Sequence, residues 1–153
     1  MEHSIQSELQ VRAATPDDAQ ALAELCEAHA AFELIAYQAQ GHATRLRSAL
    51  RSAHLHAWLA WQDDRPVGYA AATLDFSTLH AHTYLHLDCL YLEPHARGQG
   101  LGDALVQAVL RFARSQACSN VQWQTPPWNA GAIRFYKRLG ATWLDKARFT
   151  LQV

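Results

Sequence analysis

The run Arg97-Gly98-Gln99-Gly100-Leu101-Gly102 carries the plainest chemistry in this sequence. Glycines let a backbone come close to a ligand because no Cβ intervenes. Behind the run, Leu101, Leu105, Val109 and Phe112 recur at three- and four-residue steps, the spacing of one helix face. Ahead of it, Tyr84-Leu85-His86-Leu87-Asp88-Cys89-Leu90-Tyr91-Leu92 reads as a strand of aliphatic and aromatic residues. A helix that starts on glycines turns its unpaired first-turn amides, and the positive end of its dipole, toward an anion. The spacing therefore predicts a turn that holds a pyrophosphate, with a ligand-free tight turn as the alternative. Two other phosphate loops do not match. A P-loop ends in Gly-Lys-Ser/Thr, whereas Gly102 is followed by Asp103-Ala104, and the third glycine of the dinucleotide fingerprint is missing from its place.

A second segment runs from Thr125 through Pro126-Pro127-Trp128-Asn129 and Phe135-Tyr136-Lys137-Arg138-Leu139 to Gly140-Ala141. The two prolines bar a helix, Trp128-Asn129 suits its cap, and Gly140 suits the left-handed position that ends it. With Arg97-x-x-Gly100-x-Gly102 upstream, this segment resembles the GNAT family of N-acetyltransferases, the likeness running over about residues 66–143. The resemblance implies acetyl-CoA as co-substrate. Its pyrophosphate would lie on the loop that Arg97 opens, against the amides of Gly98, Gln99, Gly100, Leu101, Gly102 and Asp103. Its pantetheine arm would pair with the backbone of Leu90, Tyr91 and Leu92, in a gap between that strand and the one near Val121. Asn129 would be a further cofactor contact.

Acetyl transfer to an amine needs a base for the ammonium and an acid for the departing thiolate. Tyr136 is the expected acid, since a phenol near pKa 10 is protonated at neutral pH; a place in an amphipathic core is the alternative. Asp88 is the expected base, directly or through a water, because an acid among so many apolar strand residues is functional or paired. By simple alternation it shares a side with His86, Leu90 and Leu92. Leu87-Asp88-Cys89-Leu90-Tyr91 is similar to the Leu-Glu-Asp stretch of spermidine/spermine acetyltransferases, with Asp88 at the Glu position and Cys89 replacing the acid. Phe32, Glu33 and Tyr37 are candidate acceptor contacts, an acid beside aromatic rings being suited to an ammonium. Cys89 reads as a buried thiol rather than a nucleophile. His54/His56 and His80/His82 are paired across one residue, but no carboxylate or cysteine completes a ligand set, and no metal is expected.

These groups need a scaffold, and 153 residues suffice for one domain with its own core, residues 1–153. Half the residues are hydrophobic and the net charge is −1, which argues against disorder and against a nucleic-acid groove. No apolar run approaches the roughly 20 residues that span a bilayer. Met1-Glu2-His3-Ser4 lacks the basic start of a secretory signal, and three scattered cysteines make no disulfide framework, so a cytoplasmic protein is expected. Pattern and turn residues place strands at 9–13, 56–61, 66–75, 83–92, 121–124, 141–145 and 148–153. Helices are placed after Thr15-Pro16-Asp17-Asp18 and at 41–52, 100–117 and 128–139. The class is α+β: a mixed, largely antiparallel twisted sheet of about six to seven strands with helices on both faces, the GNAT layout.

The expected function is acetyl-CoA-dependent N-acetylation of a primary amine on a small molecule (a polyamine, an amino acid or an aminoglycoside-like compound), by direct attack, in a homodimer. The alternatives are acetylation of a protein or peptide and a non-catalytic coenzyme A-binding regulatory module.

Overall fold

Both faces of the central strands are covered, and their sequence shows it. The computed structural model describes residues 7–153, so Met1–Ser4, read above for a leader, lie outside the described residues. The chain divides into two compact units, one ending at Trp123 and one running from Gln124 to Val153.

In the first unit the order is β1 (Leu9–Ala13), α1 (Ala19–Phe32), α2 (His42–Arg51), β2 (His56–Gln62), β3 (Arg65–Ser77), β4 (His82–Leu92), α3 (Leu101–Ser115) and β5 (Val121–Gln122). The strands lie in the order β1-β2-β3-β4-β5, antiparallel except for the β4–β5 pair. A parallel pair needs a long crossover, and α3 is that crossover. In β2, Ala57 and Leu59 enter one core with Leu22 and Leu25 of α1, Tyr69 and Tyr91. Trp58 and Ala60 enter the other, with Val67, Leu85, Leu87 and α3's Leu101, Leu105 and Val109. Strands buried on both sides read as apolar runs rather than as alternation.

Local chemistry sets the joints. Asp63 and Asp64 both have left-handed φ, 49° and 63°, and join β2 to β3 as a two-residue turn that follows the sheet's twist. Arg65 already belongs to β3. Thr15 N donates to Asp18 Oδ2 at 2.8 Å, and Arg12 pairs with the same carboxylate at 3.2 Å, fixing the entry to α1. Helices α1, α2 and α3 end alike. Ile35, His54 and Cys118 donate their amides back to Ala30, Ala49 and Ala113 across Leu34, Ala53 and Ala117, whose φ values are 59°, 59° and 54°. This is the Schellman closure, filled by leucine or alanine where glycine is usual.

The second unit holds α4 (Ala130–Arg138). Asn129 Oδ1 accepts from Ala132 N at 3.3 Å at its start, and Gly140, φ +85°, closes it in the same Schellman manner. Lys137 Nζ lies 4.2 Å from the centre of the Trp143 ring. The strands expected at 141–145 and 148–153 are not formed, so the described residues hold five strands and not six or seven. Alternating Trp, Leu and Phe describe what suits a pleated surface, but a strand also requires a hydrogen-bonding neighbour, which a pattern cannot supply.

Candidate active site

The glycine loop leads into a helix start that no side chain covers. After a 3-10 turn at Pro94–Ala96 the chain passes Gly98 (φ +77°) and Gly100 (φ +86°) into α3. Both conformations disfavour a side chain, and a Cβ built at either glycine would meet nothing within 4 Å, so the loop's surface lies open. No side chain caps α3. Its first internal bond is Ala104 N to Gly100 O, 3.0 Å, which leaves the amides of Leu101, Gly102 and Asp103 without a partner in the helix. The residues present therefore fit a diphosphate.

The loop's side chains are anchored elsewhere. Gln99 donates to His95 O at 3.2 Å and accepts from Gln62 at 3.3 Å. Arg97 Nε donates to Leu92 O at 3.0 Å, and its guanidinium lies 5.0 Å from the Phe32 ring and 6.0 Å from that of Tyr91. Arg97 thus straps the loop to β4 and to the end of α1.

β4 is where an extended ligand could add as a strand. β3 pairs with it from His82 to Leu92, whereas β5 meets it only at Leu85 and His86. Among the described residues no strand of the sheet lies on its second edge from Leu87 onward, and Leu90, Tyr91 and Leu92 are on this stretch.

Asp88 sits at a β-bulge. Ala71 pairs with Cys89 and Ala72 with Leu87, so Asp88 faces no partner on β3. The extra residue inverts the alternation. Leu85 and Leu87 face α3, and beyond the bulge Leu90 and Leu92 do so too, while Cys89 and Tyr91 face α1. Alternation placed Asp88 beside Leu90 and Leu92; the bulge removes that relation and keeps only the His86 contact, Nε2 to Oδ1 at 3.7 Å. The Asp88 side chain is 58% exposed, not enclosed by apolar neighbours. Cys89 Sγ lies 3.6 Å from Asp88 Oδ2. Burial, with help from the Asp88 charge, pushes the Cys89 thiol up to about 12, so it is un-ionised at neutral pH.

Of the acceptor candidates, Phe32 and Glu33 close α1. Glu33 Oε1 is 3.1 Å from His29 Nε2, and His29 Nδ1 is 2.7 Å from the Tyr69 hydroxyl. Tyr37 donates to Ala23 O at 3.1 Å and bonds the His42 ring, bridging α1 to α2; burial raises its phenol. Sequence reading passed over His29 and Tyr69, although the four-residue spacing of His29 and Glu33 was a signal. Asn129 and Tyr136 belong to the second unit; the Tyr136 ring lies 5.7 Å from that of Phe135, and the Asn129 carboxamide oxygen is used in the cap of α4. Among the described residues no three His, Cys, Asp or Glu side chains gather as a metal ligand set, and no helix is long and apolar enough to cross a membrane.

Comparison with known proteins gives a consistent result. The model of the Acetyltransferase (GNAT) family matches residues 21–141. A thialysine N-epsilon-acetyltransferase of Caenorhabditis elegans is 28% identical over 133 residues, covering 87% of this chain and 82% of the relative. The Bos taurus protein of the same name is 33% identical over 81 residues, and there the match spans 53% of this chain and 47% of the relative. Among solved structures, an aminoglycoside N-acetyltransferase in complex with CoA superposes with a TM-score of 0.84 at 18% identity, over 97% of each chain. A probable acetyltransferase superposes with a TM-score of 0.81 at 24% identity, over 94% of this chain and 97% of the other. An uncapped glycine loop opening a crossover helix beside a half-free strand edge, within a match covering most of its length, places this chain in the GNAT family as an acetyltransferase.

Proposed function

We propose that the protein transfers the acetyl group of acetyl-CoA to a primary amine on a small molecule. The observation that carries this reading is the bare start of α3 behind two left-handed glycines. Residues 1–153 would work as one acetyltransferase domain, in a cytoplasmic homodimer. The relatives named above act, by their names, on thialysine and on aminoglycosides, which supports an amine of that size.

Acetyl-CoA, when bound, supplies a thioester activated toward amines. The chain's residues do the rest. The amides of Gly98, Gln99, Gly100, Leu101, Gly102 and Asp103 hold the diphosphate, with Arg97 fixing the loop's shape. The open edge of Leu90, Tyr91 and Leu92 aligns the pantetheine arm and offers an amide to the thioester oxygen, where negative charge grows. Asn129 contributes a cofactor contact. Asp88, exposed at the bulge, takes the ammonium proton directly or through a water. Tyr136 gives its phenolic proton to the departing sulfur. Phe32, Glu33 and Tyr37 meet the acceptor.

The test is a turnover screen that follows thiol release from acetyl-CoA, with propionyl-CoA run beside it. The acceptors are spermidine, thialysine, lysine, neamine and lysine-containing peptides. Turnover of a small amine is the expected result. Calorimetry showing no coenzyme A uptake by folded protein would overturn the reading. A second reading, acetylation of peptide lysine, is favoured by a Salmonella typhimurium relative named peptidyl-lysine N-acetyltransferase, 36% identical over 84 residues, and peptides outcompeting small amines would select it.

A further inference from the structure

The α1 side of the sheet buries a row of polar groups that the steps above leave unused. His29 is 9% exposed and Tyr69 2%. Both ring nitrogens of His29 are engaged, by the Tyr69 hydroxyl and by Glu33, and the ring stacks on Tyr91 at 5.0 Å and 17°. Cys26 and Cys89 pack against the same core cluster as Tyr69.

The direction of each hydrogen bond follows from valence. An ionised carboxylate only accepts, so Nε2 of His29 carries the hydrogen toward Glu33. In a neutral ring Nδ1 must then accept, so Tyr69 donates to it. The tautomer is fixed from both ends. Glu33 is itself out of place by helix electrostatics: it is the C-cap of α1, where the dipole disfavours an anion. Its side chain keeps 19% exposure, so one edge still meets solvent.

We infer that His29 and Tyr69 are positioning residues that hold the Glu33 carboxylate for the acceptor's ammonium. The inference rests on the acetyl-transfer reading above. Tyr69 fixes the His29 ring from inside the core, and the ring in turn holds Glu33 at its solvent edge.

The experiment is steady-state kinetics with spermidine, thialysine and neamine for the native protein and for Glu33→Gln, His29→Ala, His29→Gln and Tyr69→Phe, reading acceptor KM, acetyl-CoA KM and kcat. Acetyl-CoA KM is expected to move in none of them. Glu33→Gln should raise acceptor KM roughly tenfold, as befits a lost hydrogen bond to a charge, with kcat largely kept. His29→Ala should raise acceptor KM in the same direction, His29→Gln, which can still bond Glu33, should recover part of the loss, and Tyr69→Phe should show a smaller rise. A native acceptor KM in both Glu33→Gln and His29→Ala overturns the inference alone. Intact coenzyme binding with no turnover of any amine overturns the acetyl-transfer reading and this inference with it. Glu33 is at the surface end of the row, so its variant folds even if a buried one does not.

Discussion

The two faces of the sheet differ in the kind of residue they bury. Against α3 the interior is aliphatic, with Leu85, Leu87, Leu101, Leu105 and Val109 closed over by Trp58 and Phe112. Against α1 and α2 the same strands carry Tyr69, Tyr91 and Cys89, and His29 is the one buried polar or charged residue of the core among the described residues. Apolar packing tolerates volume-conserving exchange, whereas a buried hydrogen-bond array must be satisfied as a whole. The α3 face thus serves as support, and the α1 face has the geometry of a specificity device. The β4 bulge divides them, because it decides which residues after Asp88 belong to each.

The comparison can be broken in order of effect. Asp88→Asn, at the dividing point, should lower kcat by about 10²–10⁴-fold with little change in coenzyme affinity, and Tyr136→Phe should do likewise; an unchanged rate removes the residue from catalysis. Leu105→Ala, on the supporting face, should cost about 2–5 kcal/mol in chemical denaturation and leave acceptor KM alone. A changed acceptor KM would show that the faces are not separate.

A third test sharpens the polar face. The Cys89 thiol is raised in the folded chain to about 12, above its ordinary value of 9.0, so folding favours the protonated form. That contribution is full below the unfolded value and is lost as pH rises from 9.0 toward about 12. Cys89→Ala should therefore shrink the fall in melting temperature over that range, while Cys118→Ala, a half-buried thiol raised by burial alone, should shrink it less. The smallest effect concerns Leu34, which holds φ 59° at the close of α1. Leu34→Gly should stabilise by about 1 kcal/mol by relieving the left-handed strain, or by less once glycine's unfolded freedom is counted.

Much of this was legible in advance. The glycine loop, the apolar period behind it and the Pro-Asp-Asp start of α1 each have a local cause, and each was found where its cause lies. The bulge was not legible, because nothing in Leu87-Asp88-Cys89 distinguishes a regular strand from one carrying an extra residue; the partner strand decides. The last two strands failed for a related reason, since Trp143, Leu144, Phe149 and Leu151 state a preference and not a neighbour. His29 and Tyr69 lie forty residues apart in sequence, and only the fold brings them within bonding distance.

One consequence follows from the pairing of β3 with β4. A residue that answers to no partner across the ladder can change its identity without dragging the register along. Position 88 is such a residue, whereas a methyl at Gly68 would come within 2.6 Å of the Tyr91 carbonyl and push the whole strand aside. Evolution or design can therefore trial new functional groups at 88 at little structural risk, and even its removal would leave Leu87 and Cys89 on opposite faces, as regular alternation requires.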